Sequence, residues 1–342
     1  MNVQTPVEKL LPKDYASDQE VRWCPGCGDY SILRAVQKTL ADIQASRAET
    51  VFVSGIGCAA RFPYYINTYG FHTIHGRAPA IATGVKLANP NLTVWVVGGD
   101  GDGLSIGGNH TMHAIRRNID INYLLFNNEI YGLTKGQYSP TSRLGTKSPS
   151  TPMGSIDNPV SALSFAMGVG ARFIARGIDR DQKNLPDLFA RANAHKGASF
   201  VEVIQNCIVY NDGAFDHFAE KDVAADAQVR VVHGKPLVFG KDGKKGLKFD
   251  ARSFKLDVVT IGENGVTEAD ILVHDEKNRM LGTLLASLEP PFPVALGVLY
   301  CDPQPSYDER VAAQTEQAIA AMKGKPADLN ALFRRGHTWQ VK

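Results

Sequence analysis

Short apolar runs recur along the first 210 residues, each flanked by segments with helical periodicity. The runs are compact, as expected of strands buried on both faces of a sheet. They are Val51–Ser54, Thr93–Val97, Tyr123–Phe126 and Phe200–Ile204. Strands that alternate with helices predict an α/β fold, with a parallel sheet and helices on both of its faces. The ligand crevice of such a sheet lies beyond the carboxyl ends of its strands.

The segments around these strands carry apolar residues at the spacing of one helix face. The predicted helices are Tyr30–Ile43, Ala78–Leu87, Gly107–Arg117 and Pro186–Ala194. A further amphipathic helix is predicted near the C-terminus, at Ser306–Lys323.

Two segments interrupt the alternation. Tyr138–Pro159 is rich in Ser, Thr, Pro and Gly, which predicts a long functional loop. Lys235–Lys248 contains a turn rich in glycine and lysine within a β-rich region. We therefore divide the chain into an N-terminal arm (1–22), a ligand-binding α/β domain (23–218) and a C-terminal extension (219–342) with a β-rich segment and a terminal helix.

Composition limits the possible classes of protein. The 342 residues are 44% hydrophobic and 21% charged, which excludes a disordered chain, a coiled coil or a collagen-like repeat. A net charge of +2 gives no general reason to expect a nucleic-acid partner. No apolar run approaches the roughly 18 residues of a membrane span, and the first 22 residues lack the apolar stretch of a secretory signal. We expect a soluble, cytoplasmic protein whose five cysteines are ligands or free thiols.

Four of these cysteines lie at turns next to predicted strands or helices. Cys24 and Cys27 form a C-x-x-C loop, Cys58 follows the first strand and Cys207 follows the last. Four thiolates suit a [4Fe–4S] cluster and structural zinc equally, and a C-x-x-C pair alone is also found in thioredoxin-like proteins. Spacing alone therefore leaves iron–sulfur, zinc and a chance arrangement open. Cys301 lacks comparable neighbours and is expected to be a buried apolar residue.

The second strand continues into a Gly-Gly-Asp-Gly-Asp-Gly turn, and a pair of asparagines ends the next strand about 25 residues later. Mg²⁺, which commonly accompanies a bound diphosphate, takes oxygen ligands. Asp100 offers a carboxylate, Asn128 a side-chain carbonyl and Ile130 a backbone carbonyl. Gly101 and Gly103 would let the backbone approach the phosphates, with the N-terminus of the next helix pointing at them. An ordinary glycine turn is the alternative.

The spacing of this Gly-Asp-Gly and Asn-Asn pair resembles the thiamine diphosphate-binding motif. The flanking sequence is similar to the β subunits of 2-oxoacid:ferredoxin oxidoreductases, and the length and C-terminal extension most resemble the 2-oxoglutarate type. The matching motifs occur in one order, at 23–28 (WCPGCG), 55–58 (GIGC), 75–78 (HGRA), 99–102 (GDGD) and 131–137 (YGLTKGQ).

The resemblance implies three sets of site residues. The ligands of one [4Fe–4S] cluster would be Cys24, Cys27, Cys58 and Cys207. The ligands of Mg²⁺ would be Asp100, Asn128 and the Ile130 carbonyl. The remaining contacts of thiamine diphosphate would be Ile56, Gly57, Cys58, Ala59, His75, Gly101, Asp102, Gly132 and Leu133.

The implied reaction is the coenzyme A-dependent oxidative decarboxylation of 2-oxoglutarate to succinyl-CoA, or its reversal, with electrons passing through the cluster to ferredoxin. Thiamine enzymes take a catalytic glutamate from a separate pyrimidine-binding domain, for which this chain has no room. The resemblance therefore implies an α subunit and an (αβ)₂ assembly.

Three other functions compete with this one. Pyruvate or a broad set of 2-oxoacids is the nearest alternative for the substrate. A cluster-free thiamine enzyme leaves the cysteines unexplained. A zinc-stapled, non-catalytic binding subunit leaves the Gly-Asp-Gly motif unexplained.

A cation is needed to bind the distal carboxylate of 2-oxoglutarate. The candidates are Arg61, Arg77, Lys135 and Arg143. Arg61 and Lys135 are favoured because they lie inside site motifs. Together with His75, a predicted hydrogen-bond donor near the diphosphate, they are the predicted catalytic residues.

Two further patterns are interpreted as structural. His110 and His113 share a helix face, but no third metal ligand is evident in the sequence. A basic stretch within the C-terminal extension would suit an acidic ferredoxin, although a solvated turn is favoured. Its residues are Lys241, Lys244, Lys245 and Lys248.

Overall fold

The protein is described by a computed structural model, which covers residues 9–324 and 328–341. Its strands are β1 (Thr50–Ser54), β2 (Tyr69–His72), β3 (Thr93–Gly99), β4 (Asn122–Asn127), β5 (Ile130–Tyr131), β6 (Gln137–Tyr138), β7 (Phe173–Ile178), β8 (Ser199–Ile204), β9 (Gln228–Val231), β10 (Val238–Phe239), β11 (Lys245–Asp250), β12 (Lys255–Thr260) and β13 (Val294–Cys301). Its helices are α1 (Asp29–Asp42), α2 (Ala78–Ala88), α3 (Gly108–Arg116), α4 (Ala162–Gly168), α5 (Leu185–Ala194), α6 (Asp216–Ala219), α7 (Ala224–Ala227), α8 (Arg279–Ala286), α9 (Tyr307–Ala321) and α10 (Leu329–Phe333).

The main sheet has eight strands in the order β2-β1-β3-β4-β8-β7-β13-β9. The first six are parallel to one another, and β13 pairs antiparallel with β7. β9 then pairs parallel with β13. A three-stranded antiparallel sheet, β10-β11-β12, lies in the C-terminal part of the chain. The predicted α/β class is confirmed, with a mostly parallel sheet.

The strands of this sheet alternate their side chains between two apolar layers. In β3, Val94 and Val96 enter the layer that contains residues of α2, α3, α4 and α8. Trp95 and Val97 point to the opposite layer, which contains residues of α1 and α5. Both faces of the sheet are therefore buried, which explains why its central strands are continuous apolar runs rather than alternating ones.

The four predicted strands and the five predicted helices all occur, with ends shifted by a few residues. Four strands of the main sheet were not predicted. β2 is an exposed edge strand without an apolar run, and Arg176 and Gly177 interrupt the apolar pattern of β7. β9 and β13 belong to the predicted C-terminal extension, yet they join the main sheet. The division into domains stays a prediction, and residues 1–8 of the predicted arm lie outside the described residues.

None of the helices within residues 9–324 and 328–341 combines the length and the apolar character needed to cross a membrane.

Candidate functional site

The predicted site residues lie at the carboxyl edge of the parallel strands. The segments that follow β1, β3, β4 and β8 carry Cys58, Asp100, Asn128 and Cys207. These four strands are neighbours and run in the same direction, so their ends meet at one edge of the sheet. Two adjoining cavities open there, which we name the central cleft and the cysteine pocket.

The central cleft brings together every residue that the family resemblance assigns to Mg²⁺ or thiamine diphosphate. The three oxygen donors are carried by Asp100, Asn128 and Ile130. The other predicted contacts that line the cleft are Ile56, Gly57, Cys58, Ala59, His75, Gly101, Asp102, Gly132 and Leu133. Residues from four chain segments thus form the wall of a single cleft.

Asp100 is buried and held by the loop that follows β6. Ser139 donates its hydroxyl proton to the carboxylate, and the Thr141 hydroxyl lies within hydrogen-bond distance of the same oxygen. Burial raises the pKa of Asp100, whereas the hydrogen bonds from Ser139 and Thr141 lower it. A carboxylate fixed in this way suits a cation ligand because its orientation is set before the cation binds.

The two asparagines at the end of β4, Asn127 and Asn128, face different surroundings. The Asn128 amide donates to Gln205 Oε1 at 2.8 Å, and its side-chain oxygen accepts from the Ile130 N–H at 3.2 Å on the wall of the cleft. Asn127 is buried and donates to Glu202 Oε1 at 2.8 Å. Carboxylate, amide and backbone oxygens are the donors that Mg²⁺ prefers, so the residues present fit this ion.

Asp102 links two loops at the rim of the cleft. One carboxylate oxygen accepts from the N–H groups of Ile56 at 3.0 Å and Gly76 at 2.8 Å, and it also bonds to Nδ1 of His75. A Cβ atom on Gly55 would lie 1.9 Å from the other oxygen, so only glycine fits there. Asp102 therefore fixes the loop after β1 and orients the imidazole of His75.

The glycines of the turn after β3 accommodate aromatic side chains. A Cβ on Gly101 would lie 2.1 Å from the ring of Tyr131, whose hydroxyl donates to the Gly101 carbonyl at 3.1 Å. A Cβ on Gly103 would lie 2.3 Å from the Tyr123 hydroxyl. Gly103 packs against Tyr123 and does not line the cleft, so its predicted role in the approach to phosphate stays a prediction. A π-helical turn, Asp102–Ile106, precedes α3.

The cysteine pocket is lined by all four predicted cluster ligands, Cys24, Cys27, Cys58 and Cys207. Trp23 supports it by donating its indole N–H to the Cys58 carbonyl at 2.8 Å, and Gln205 donates to Cys27 Sγ at 3.3 Å. Burial raises the pKa of Cys58 to about 12, and both burial and the charge of Asp29 raise the pKa of Cys27. A bound cation would be required to hold these groups as thiolates at neutral pH.

The central cleft and the cysteine pocket share one wall. Its residues are Cys58, Asn128, Gly132 and Leu133. An ideal Cβ placed on Gly132 would lie 3.5 Å from Cys207 Sγ and 3.7 Å from Cys58 Sγ. The backbone of Gly132 thus lies beside two of the four thiols, on the wall that both cavities share.

No group of three or more His, Cys, Asp or Glu within residues 9–324 and 328–341 is spaced to hold a single metal ion. The imidazole of His110 lies 2.7 Å from an Arg77 nitrogen, and His113 accepts from Arg116 at 2.8 Å. Cys301 packs against the core away from the pocket, with its sulfur 3.9 Å from Nδ1 of His195.

The candidate cations for the substrate carboxylate lie apart from one another. Arg61 lines the cysteine pocket and an outer pocket with Tyr64, but not the central cleft. Lys135 is exposed on a turn with a left-handed backbone, at φ 73°. Arg143 pairs with Glu129 at 3.4 Å. The catalytic roles of Arg61, His75 and Lys135 stay predictions.

Sequence reasoning missed four supporting residues, namely Ser139, Thr141, Tyr131 and Gln205. The first two lie inside the predicted functional loop. The polar run Ser-Pro-Thr-Ser indicates hydrogen bonding in this loop but does not identify the residue that is bonded. Tyr131 is the first residue of the site motif at 131–137, and Gln205 lies two residues before Cys207.

Known proteins resemble the chain over almost its whole length. Residues 55–203 match the family described as "Thiamine pyrophosphate enzyme, C-terminal TPP binding domain". The chain is 46% identical to the 2-oxoglutarate oxidoreductase subunit KorB of Mycobacterium tuberculosis, over 96% of this chain and 88% of that one. It is 48% identical to the β subunit of a 2-oxoacid:ferredoxin oxidoreductase of Aeropyrum pernix, over 56% of this chain and 60% of that one.

A solved structure extends the similarity to three dimensions. It is the 2-oxoglutarate:ferredoxin oxidoreductase from Magnetococcus marinus, whose structure has 2-oxoglutarate, coenzyme A and succinyl-CoA bound. The TM-score is 0.76 at 32% sequence identity, and the match covers 97% of each chain.

Proposed function

The chain belongs to the β subunits of the 2-oxoacid:ferredoxin oxidoreductases, and we propose that it acts on 2-oxoglutarate. With an α subunit, it would catalyse the coenzyme A-dependent oxidative decarboxylation to succinyl-CoA and the reverse carboxylation. Electrons would pass through a [4Fe–4S] cluster to ferredoxin. Five unpaired cysteines are compatible with the reducing conditions of the cytoplasm, where we place the protein.

The observation that supports this proposal best is the wall shared by the central cleft and the cysteine pocket. Thiamine diphosphate, when bound, supplies a carbanion that attacks the keto carbon of a 2-oxoacid and an electron sink for decarboxylation. A cluster held by Cys24, Cys27, Cys58 and Cys207 would lie directly behind that wall. The arrangement gives electrons a short path, which a non-oxidative thiamine enzyme would not need.

The α subunit is proposed to cover the open side of the cleft. Four exposed apolar side chains lie at or near the cleft: Ile56 and Leu133 line it, Ile74 precedes His75 in sequence, and Ile106 lies near Gly76. Ile74 is 72% exposed although it directly precedes His75. Exposed apolar groups beside a ligand cleft indicate a protein contact. The partner would complete the cofactor site and supply the carboxylate that this chain lacks there.

Metal analysis of the α–β complex, purified without oxygen, tests the cluster. We expect about four iron and four sulfide per β chain, with a visible band that dithionite bleaches. Cys58→Ser should lose the iron and the band, whereas the matched control Cys301→Ser should keep both, because Cys301 lies outside the pocket. One zinc with no iron would favour the zinc-stapled binding subunit and remove the basis for electron transfer.

Arg61 is proposed to bind the distal carboxylate of 2-oxoglutarate. Arg61 lines both the outer pocket and the cysteine pocket. Arg61→Ala should lower kcat/KM for 2-oxoglutarate roughly 10- to 100-fold, the effect of losing a charged hydrogen bond, and leave pyruvate nearly unaffected. Equal losses for both substrates would contradict this role, and Lys135→Ala in the same assay tests the second candidate.

A further inference from the structure

A chain of buried polar contacts leads from the central cleft into the interior of the sheet. The Thr141 hydroxyl contacts Asp100 and lies 2.9 Å from the side-chain oxygen of Asn127. The amide nitrogen of Asn127 donates to one oxygen of Glu202 at 2.8 Å. The other oxygen of Glu202 accepts from Arg176 Nε at 2.7 Å. The five side chains thus connect the proposed metal ligand with an ion pair between β7 and β8.

This ion pair is largely buried between two central strands of the sheet. The exposed fraction is 11% for the Arg176 side chain and 4% for the Glu202 side chain. Burial of two charges costs free energy that their mutual attraction only partly offsets, and an apolar pair of similar size often gives equal or greater stability. Stability alone therefore does not account for this pair.

The second contact of Glu202 links the ion pair to the orientation of the Asn127 amide. An asparagine amide can face either way, and its partners decide its orientation. Because Glu202 accepts from the nitrogen, the oxygen of Asn127 faces Thr141 and the N–H of Glu129, at 2.9 and 3.3 Å. This orientation fixes the loop that carries Thr141 and the turn that carries Asn128 and Ile130. Both sides of the proposed metal site thus depend on one amide.

We propose that Arg176 and Glu202 are positioning residues for the divalent cation of this site, acting through Asn127 and Thr141. Neither residue reaches the central cleft. They set the direction of the Asn127 amide, whose oxygen shares the single Thr141 hydroxyl proton with Asp100 and so fixes the position of that hydroxyl. The inference rests on the proposed function, since it assumes that Asp100 and Asn128 bind Mg²⁺ beside a diphosphate.

Mn²⁺ titrations of the α–β complex, followed by electron paramagnetic resonance with thiamine diphosphate present, test the link at Thr141. Thr141→Val keeps the shape of the side chain but removes the hydroxyl, and should weaken Mn²⁺ binding about 10-fold, as loss of a supporting contact does. Thr141→Ser retains the hydroxyl and should bind Mn²⁺ nearly as the wild type does. Equal affinity in all three proteins would overturn the proposal.

The distant end of the chain is tested by replacing both charges at once. Arg176→Met with Glu202→Met leaves no unpaired buried charge, and a cavity of about 440 Å³ beside the pair leaves room for repacking. We expect Mn²⁺ affinity to fall about 10-fold while the unfolding midpoint stays close to that of the wild type. The matched control is Arg172→Met with Asp302→Met, an ion pair remote from the site, which should leave Mn²⁺ affinity unchanged.

Three outcomes separate the possibilities. Suppose that Thr141→Val loses Mn²⁺ affinity but the double variant of Arg176 and Glu202 does not. The positioning role would then extend only as far as Asn127, and the proposal for the ion pair would be overturned. The proposal is also overturned if Mn²⁺ affinity falls only together with the unfolding midpoint and the control pair shows the same fall in affinity. Failure of the wild-type complex to bind Mn²⁺ with thiamine diphosphate would instead contradict the proposed function itself, and this inference with it.

Discussion

The carboxyl edge of β1, β3, β4 and β8 and the seam formed by β7, β13 and β9 both carry polar side chains, but these side chains have different partners. At the carboxyl edge, polar groups converge on two cavities with a shared wall. At the seam they are satisfied locally, as when His274 bonds to the Val298 carbonyl at 2.9 Å and Arg172 pairs with Asp302 at 2.9 Å. Polar residues at the edge are therefore expected to control ligand binding, and those at the seam to control stability.

The largest expected difference between the two regions follows from replacing one aspartate in each. Asp102→Ala removes three hydrogen bonds that tie the loop after β1 to the His75 turn. We expect affinity for thiamine diphosphate to fall by about 100-fold, because bonds to a buried carboxylate are worth roughly 1.5–3 kcal/mol each. Asp302→Ala removes a surface pair in which the aspartate side chain is 35% exposed, and should change stability by about 1 kcal/mol or less.

Calorimetric titration with thiamine diphosphate and Mg²⁺ measures the first effect, and denaturant unfolding measures the second. A loss of cofactor affinity in Asp302→Ala equal to that in Asp102→Ala would contradict the division between the two regions.

The dependence of stability on pH tests a histidine that packs against the seam. Burial lowers the pKa of His195 from its ordinary value of 6.5 to about 4. The unfolded chain therefore binds a proton that the folded chain does not, so stability is fully present above pH 6.5 and is lost as the pH falls toward 4. His195→Gln should remove up to about 3 kcal/mol of this pH dependence. The exposed control His337→Gln should reproduce the wild-type profile.

Unfolding midpoints measured between pH 7 and pH 4 decide this prediction. Parallel profiles for His195→Gln and the wild type would mean that other groups cause the acid sensitivity.

The two regions also differ in how far their structure can be predicted from sequence. At the edge, the site motifs directly follow apolar strands, so parallel pairing alone brings Asp100 and Asn128 into one cleft. The contact between Thr141 and Asp100 spans 41 residues and depends on the path of an irregular loop, which periodicity does not encode. β7 was missed because Arg176 interrupts its apolar run, and that arginine is part of the proposed positioning chain.

The seam shows a different limit of prediction. β13 pairs with β7 across more than 100 residues, and the pairing has a register shift between Val298 and Tyr300. No local pattern identifies such a partner. Apolar spacing therefore predicts which segments form strands more reliably than it predicts which strands become neighbours.

Glycines provide a smaller and more local comparison. A Cβ on Gly101 would meet the Tyr131 ring at 2.1 Å, and a Cβ on Gly297, where φ is +124°, would meet the Val231 carbonyl at 2.8 Å. Either Gly→Ala change should cost about 1–3 kcal/mol of stability. Only Gly101→Ala should also weaken thiamine diphosphate binding, because Tyr131 lines the cleft. Calorimetric titration and unfolding of both variants test this prediction. A loss of cofactor affinity in Gly297→Ala as well would contradict it.

The smallest expected effects concern two basic surfaces whose charge suits an acidic ferredoxin. The lysine-rich turn begins at Lys241, and two of its four lysines are already neutralised, since Lys245 pairs with Asp226 at 2.9 Å and Lys248 with Asp270 at 3.1 Å. Arg22 also has a carboxylate partner, Glu20 at 3.2 Å, but its side chain is 71% exposed and it lines the cysteine pocket. Electron transfer weakens steeply with distance, so under the proposed function a productive ferredoxin would dock beside that pocket.

Arg22→Ser should therefore lower the rate of ferredoxin reduction several-fold at low salt and flatten its dependence on ionic strength, as loss of a steering charge does. Replacing the four lysines (241, 244, 245 and 248) by serine should leave both quantities unchanged. Stopped-flow reduction of ferredoxin across a salt series distinguishes the two surfaces. If the lysine replacements change the rate and its salt dependence while Arg22→Ser does not, the docking site lies on the lysine-rich turn. A charge that steers the partner contributes to the salt dependence, so the surface that contributes is the one that ferredoxin approaches.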